Sequence, residues 1–169
     1  MKKFRGVWPA LITPISSDGQ PNLVAMEELV ELLISQNLDG LYILGSTGQG
    51  ILLTESQRMT ITEVVASIVR KRIPIMVQVG SLTTAESVRL ARHAEVHEAD
   101  AISSVGPIYY SASNGSAQMA LNHYRSIAES TGLPFFPYQL GQSNFSEGIP
   151  LFVEKLLEIP NVAGMKLTT

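Results

Sequence analysis

"GVWPALITPIS", Gly6 to Ser16, is the first apolar run of the chain, and the residues at its end decide between two architectures. Beyond it, apolar runs of strand length alternate with longer segments of helical period. The pattern predicts strands at Gly6–Thr13, Gly40–Leu44, Ile73–Val79, Ala101–Val105, Leu133–Tyr138 and Val162–Leu167. It predicts helices at Asn22–Gln36, Glu55–Lys71, Ala85–Glu98, Ser116–Ser130 and Ser146–Glu158. The strands are apolar on both faces, which suits parallel strands covered by helices. A βα alternation of this kind builds either a doubly wound open sheet or a closed barrel. The dinucleotide-binding open sheet carries G-x-G-x-x-G after its first strand. Thr13-Pro14-Ile15-Ser16 stands in that place here, so the expected fold is α/β, a (β/α)8 TIM barrel. A closed barrel takes roughly 250 residues. The 169 residues of this chain supply about six of the eight strands, as a single partial barrel domain over residues 1–169. Composition leaves open whether this is an incomplete barrel or a fragment of a longer chain.

Start signals support the helices. Thr54 stands before Glu55 with Gln57 three residues on, a capping-box spacing. Thr84 precedes Ala85-Glu86 and Ser146 precedes Glu147, each a candidate cap. Met26, Leu29, Val30, Leu33 and Ile34 share one face at helical period.

Bulk properties exclude several function classes. Hydrophobic residues make up 45% of the chain and charged residues 16%, as in a soluble globular domain. The net charge is −3 and the pI about 5.6, with no basic stripe, so nucleic acid is not an expected partner. With no cysteine, disulfide and thiolate chemistry are excluded, and the absence is compatible with a cytoplasmic location. No apolar run reaches the roughly 18 residues of a membrane span. The basic start, Met1 to Arg5, leads into a stretch broken by Pro9 and Pro14, which reads as a first strand rather than a signal peptide.

In a parallel barrel, function sits at the carboxyl ends of the strands. After the second expected strand comes "GSTGQG", Gly45 to Gly50. Such a loop can aim backbone N–H groups and hydroxyls at a carboxylate; equally, it can be a tight turn whose glycines need positive φ. It lacks the lysine of a phosphate-binding P-loop. Tyr109 and Tyr110 follow the fourth strand, where paired aromatics serve packing as readily as catalysis. Tyr138 ends the fifth strand and could move a proton or simply pack. Pro137 beside it is awkward in an interior strand, having no ladder N–H. Lys166 stands in the sixth strand. It could be an exposed cap to the barrel, or an amine kept neutral by desolvation and able to attack a carbonyl. His93 and His97 are at i and i+4, a spacing that can bind metal, but no third ligand is recognisable and no metal is expected.

The combination is more specific than its parts. "GSTG", "PIYY", the Tyr138 position and "GMK" occur in order at the ends of strands 2, 4, 5 and 6, and with "GVWPALITP" and "DGLYILGSTG" they resemble the dihydrodipicolinate synthase / N-acetylneuraminate lyase family of class I, pyruvate-handling aldolases. The resemblance implies a (β/α)8 barrel, a homotetramer, small-molecule substrates (pyruvate and 2-keto sugar acids), and no metal or organic cofactor. It implies that Lys166 forms the imine, that Ser46 and Thr47 hold the pyruvate carboxylate and its proton relay, and that Tyr138 shuttles protons. Tyr110 matches the tyrosine that completes the relay from a neighbouring subunit.

Within the family the sequence leans toward the lyase. The synthase carries an arginine soon after the strand-5 tyrosine; "YQLGQSN" has Ser143 near that place and no arginine. Thr168 of "KLTT" matches a substrate-contacting threonine of the lyase, and "LNHYRSIA" is also lyase-like. Gln49, Pro137 and Gly141 depart from the lyase pattern and leave the aldehyde open. The expected reaction is retro-aldol cleavage of a sialic-acid-type sugar acid. The alternatives are condensation of pyruvate with aspartate semialdehyde, or an inactive relative.

Overall fold

A computed structural model describes residues 4–107, 116–140 and 149–168. Five α-helices and five strands alternate along the described residues, with one short 3-10 turn at Gly50–Leu52: α1 (Leu23–Ser35), β1 (Leu41–Ile43), α2 (Glu55–Val69), β2 (Ile75–Gln78), α3 (Thr84–Val96), β3 (Ala101–Val105), α4 (Ser116–Ala128), β4 (Phe135–Leu140), α5 (Ile149–Leu157) and β5 (Lys166–Thr168). The strand order, β1-β2-β3-β4-β5, is the order of the chain. A doubly wound sheet would reverse direction at a switch point; uninterrupted order is what a barrel requires. Close contacts group the chain into two compact units, Met1–Gln78 with His93–Asp100, and Val79–Arg92 with Ala101–Thr169.

In the first unit β1 and β2 pair in parallel, with Leu41 opposite Ile75 and Ile43 opposite Val77. Both strands are buried throughout. Helices α1 and α2 pack together. Met26 and Val30 of α1 and Ile61 and Val65 of α2 are at most 1% exposed, each contributing about 1.5–3 kcal/mol by burial. Asn22 caps α1 by accepting from Ala25 N at 3.0 Å. The capping box of α2 forms as read, with Thr54 and Gln57 each accepting from the other's backbone N–H.

The expected first strand is reduced to an isolated bridge between Ala10 and Tyr42, so about six strands become five. Leu11 N donates to Tyr42 O and Tyr42 N to Pro9 O, but Pro9 has no N–H with which to extend the ladder. Upstream, Gly6 turns to φ +83°.

In the second unit β3, β4 and β5 run parallel, with Ile102 opposite Phe135 and Tyr138 opposite Lys166. Tyr124 and Ile127 of α4 are fully buried, and the Tyr124 ring lies 5.8 Å from that of Phe135. Asn161 ties the last helix turn to the sheet. Its Nδ2 donates to Ala128 O at 3.2 Å and Thr131 O at 2.9 Å, and its own carbonyl accepts from Phe135 N. Carbonyls left over at a helix end are thereby satisfied. The cap of α3 is Thr83 rather than Thr84: Thr83 Oγ1 accepts from Glu86 N, and the helix already includes Thr84. Ser146 lies outside the described residues.

The sixth expected strand, Val162–Leu167, is shorter and shifted. Phe135 bridges Val162, but the ladder resumes only where Tyr138 meets Lys166. Three residues of advance on β4 thus correspond to four on the facing chain, the signature of a bulge. Phe135 turns its N–H and C=O toward this neighbour, so by strand alternation Pro137 faces the same way and offers no donor. Gly164 lies inside the irregular stretch, where a Cβ would come within 2.9 Å of the Phe136 ring. Proline on one side and glycine on the other set where Lys166 enters the sheet.

Candidate active site

The loop after β1 belongs to the first unit. Ser46 and Thr47 are exposed at its tip, between buried Gly45 and Gly48. The reading that its glycines supply positive φ is corrected. The left-handed residues are Leu44, at φ +61°, and Gln49, at φ +53°. The glycines supply space: a Cβ on Gly50 would lie 2.0 Å from Leu44 O, and one on Gly48 would lie 2.7 Å from Leu11 O. Thr13, to which the sequence assigned no role, donates its hydroxyl to Gly48 O at 2.7 Å and pins the loop. A bulky side chain held left-handed is an outlier maintained by its surroundings; Leu44 is 2% exposed. Gly50→Ala should therefore force the backbone to move and cost about 1–3 kcal/mol or more, read as a lower urea midpoint. An unchanged midpoint would contradict the close-approach account.

In the second unit, β4 and β5 bring three of the expected residues together. The Lys166 Nζ lies over the Tyr138 ring, 3.4 Å from its centroid. The Tyr138 hydroxyl and the Thr168 hydroxyl are 3.1 Å apart. The register explains the cluster, since Tyr138 sits opposite Lys166 and Leu140 opposite Thr168. Tyr138 is buried, at 4% exposure. Lys166 is half-buried and Thr168 exposed, so the amine is less enclosed than a both-faces-buried strand implies. Tyr109, Tyr110, Gly141 and Ser143 lie outside the described residues.

Behind this cluster is a polar layer that sequence pattern did not reveal. Tyr124 donates its hydroxyl to Tyr138 O at 3.2 Å. Burial pushes the Tyr124 phenol well above its usual range, only partly offset by a hydrogen bond to the Gly106 backbone. It therefore remains a donor. His123, one residue earlier on α4, is 4% exposed and sits between Thr84 Oγ1 at 2.9 Å and Ser104 Oγ at 3.1 Å. The Ser104 hydroxyl donates to Val105 O, which leaves its oxygen to accept from His123 Nε2–H. His123 Nδ1 then accepts from Thr84. This assigns a neutral imidazole with the proton on Nε2.

Burial lowers the His123 pKa to about 4, against a smaller raising effect from the Val105 carbonyl. An unfolded histidine titrates near 6.5. Between those values the unfolded chain binds the extra proton, so stability is complete above about pH 6.5 and is lost as pH falls toward 4. The difference amounts to roughly 3 kcal/mol. Urea unfolding across that range should show this loss in the parent and a smaller one in His123→Gln; equal losses would contradict the assignment.

His93 and His97 have a neighbouring third donor, the Glu63 carboxylate of α2, whose Oε1 is 2.9 Å from His93 Nε2 and 3.7 Å from His97 Nε2. Sequence spacing could not reveal it, because Glu63 comes from a different helix. Among the described residues no helix is long and apolar enough to cross a membrane.

Residues 3–169 match the model of the dihydrodipicolinate synthetase family. A probable 2-dehydro-3-deoxy-D-pentonate aldolase of Escherichia coli (strain K12) is 34% identical, over 99% of this chain and 55% of that protein. A 4-hydroxy-tetrahydrodipicolinate synthase of Syntrophus aciditrophicus (strain SB) is 32% identical, over 96% of this chain and 55% of that protein. The crystal structure of N-acetylneuraminate lyase from Mycoplasma synoviae superposes with a TM-score of 0.88 at 35% identity, covering 98% of this chain and 55% of that one. The chain thus spans about half the length of the relatives it matches, and its parallel strands and helices are those of part of a TIM barrel. The match across nearly every residue, in sequence and in fold, makes this chain a member of the dihydrodipicolinate synthetase family.

Proposed function

We propose that this chain carries the Schiff-base half of a class I, pyruvate-handling aldolase, with Lys166 as the imine-forming amine. The observation that carries the reading is the packing of the Lys166 amine on the Tyr138 ring, with the Tyr138 hydroxyl on Thr168. In the cleavage direction the neutral amine attacks the keto carbon of a 2-keto acid, and loss of water leaves a protonated imine. The imine accepts the electron pair of the breaking C3–C4 bond, while the C4 hydroxyl gives up its proton and becomes an aldehyde. The enamine is then protonated at C3, and hydrolysis frees pyruvate and the lysine. In this reading Tyr138 carries protons to and from the substrate, and Thr168 holds a substrate hydroxyl. Ser46 and Thr47 take the substrate carboxylate, and Tyr110 completes the relay from a neighbouring subunit of a homo-oligomer.

The preferred substrate is a sugar-derived 2-keto acid of the N-acetylneuraminate type. Thr168 and the absence of arginine in "YQLGQSN" support it. The likeness to a pentonate aldolase supports sugar acids as the class. The test is to measure pyruvate release from N-acetylneuraminate and from a 2-keto-3-deoxy-pentonate beside condensation of pyruvate with aspartate semialdehyde. Release from a sugar acid exceeding condensation is expected; condensation as the dominant reaction would overturn the preference.

A further inference from the structure

The geometry points to a divalent-metal site on the α2–α3 face of the first unit, built from Glu63, His93 and His97 and taking a late first-row ion such as Zn2+. His93 and His97 are one helical turn apart, so their rings fall on the same side, with centroids 4.3 Å apart. One ring nitrogen from each histidine and one Glu63 carboxylate oxygen all lie within 4.8 Å of one another. Both nitrogens address one carboxylate oxygen, Oε1, at 2.9 and 3.7 Å.

A tetrahedral Zn2+ with ligands at about 2.0–2.1 Å holds its donor atoms about 3.3 Å apart. The two observed separations fall on either side of that value, so each changes by only about 0.4 Å to admit the ion. The adjustment falls on the ends of side chains: Glu63 comes from α2, His93 from α3 and His97 from the turn that follows it. Two imidazoles and one carboxylate suit a borderline ion such as Zn2+ rather than Mg2+ or Ca2+, which favour oxygen donors. Without the ion, the carboxylate and the His93 ring satisfy each other by a hydrogen bond.

The site is open. His93 and His97 are half-buried and Glu63 is exposed. A cleft of about 320 Å3 adjoins it, lined among others by Glu63, His97, Lys71, Glu98 and Asp100. The Lys71 amine is directed at Glu98, 3.8 Å from its carboxylate and within hydrogen-bonding distance of its carbonyl, so its charge is drawn to that pair. Three protein donors and an open side leave a fourth position for water, the arrangement of a three-ligand site. Bound there, the ion would cross-link α2 to α3 and stabilise the fold by mass action.

The experiment uses the tag-free chain and Zn2+ itself. Isothermal titration should give one site per chain, and Zn2+ should raise the melting temperature. His93→Gln, His97→Gln and Glu63→Gln are conservative changes that keep a polar side chain at half-buried or exposed positions, and are expected to leave the metal-free melting temperature near the parent value. Each histidine change should weaken Zn2+ binding by at least ~10-fold, and the double change should abolish the Zn2+-dependent rise in melting temperature. Co2+ substitution should give a visible absorption band that disappears in the double variant. No Zn2+ binding by the parent, or binding unchanged in the double variant, overturns the proposal. Neither outcome bears on Lys166 chemistry.

Discussion

Lys166→Arg should abolish turnover, lowering kcat by roughly 10⁴-fold or more, because covalent catalysis is lost with its nucleophile. Arginine keeps the charge and the long stem but is never deprotonated at ordinary pH, so it cannot attack a carbonyl. It can still stack on the Tyr138 ring. Lys166 is half-buried at the start of β5, so the substitution should leave the urea midpoint within about 1 kcal/mol of the parent. The measurement is steady-state pyruvate release beside an unfolding curve. Residual turnover within tenfold of the parent would remove Lys166 from the chemistry; a collapsed unfolding curve would make its role structural.

Tyr138→Phe should lower kcat by about 10²–10⁴-fold with little change in KM, the range expected for losing a positioned proton-transfer group. The substitution keeps the ring beneath the Lys166 amine and the packing of a side chain only 4% exposed. It removes the hydroxyl and its bond to Thr168. Imine formation should survive, more slowly, so a pyruvate adduct should still be trapped. Thr168→Val tests the other end of that bond. If Thr168 only orients the tyrosine, its loss should be the smaller of the two. A raised KM with unchanged kcat in Tyr138→Phe would assign the hydroxyl to binding instead.

The family and the order of elements were legible because they rest on local pattern. Ala101–Val105 is a strand end to end, and the capping box at Thr54 and Gln57 is a two-residue signal read without tertiary information. The failures occur where a contact distant in sequence decides the outcome. The glycines of "GSTGQG" looked like φ > 0 positions; the left-handed residues are Leu44 and Gln49, and the glycines make room for the Leu44 and Leu11 carbonyls. Pro137 was awkward as an isolated residue. Its consequence, a bulge that delays β5 until Lys166, is visible only once the facing chain is known. Arg58, near the start of α2, is 1% exposed and donates to the Gln78 carbonyl and side chain. Nothing in its sequence neighbours distinguishes it from a solvated arginine. Of the candidate site residues, motif singles out Lys166, Tyr138 and Thr168, and the register of β4 and β5 gathers them. The layer behind them, Tyr124 and His123, was not legible, because its partners come from different elements of the second unit.

The proposed imine chemistry of Lys166 can be trapped covalently by incubation with pyruvate and borohydride, followed by peptide mapping. The reduced three-carbon adduct should appear on Lys166, should require pyruvate, and should vanish in Lys166→Arg. An adduct on another lysine, or none on Lys166 under conditions that label a known class I aldolase, would contradict it.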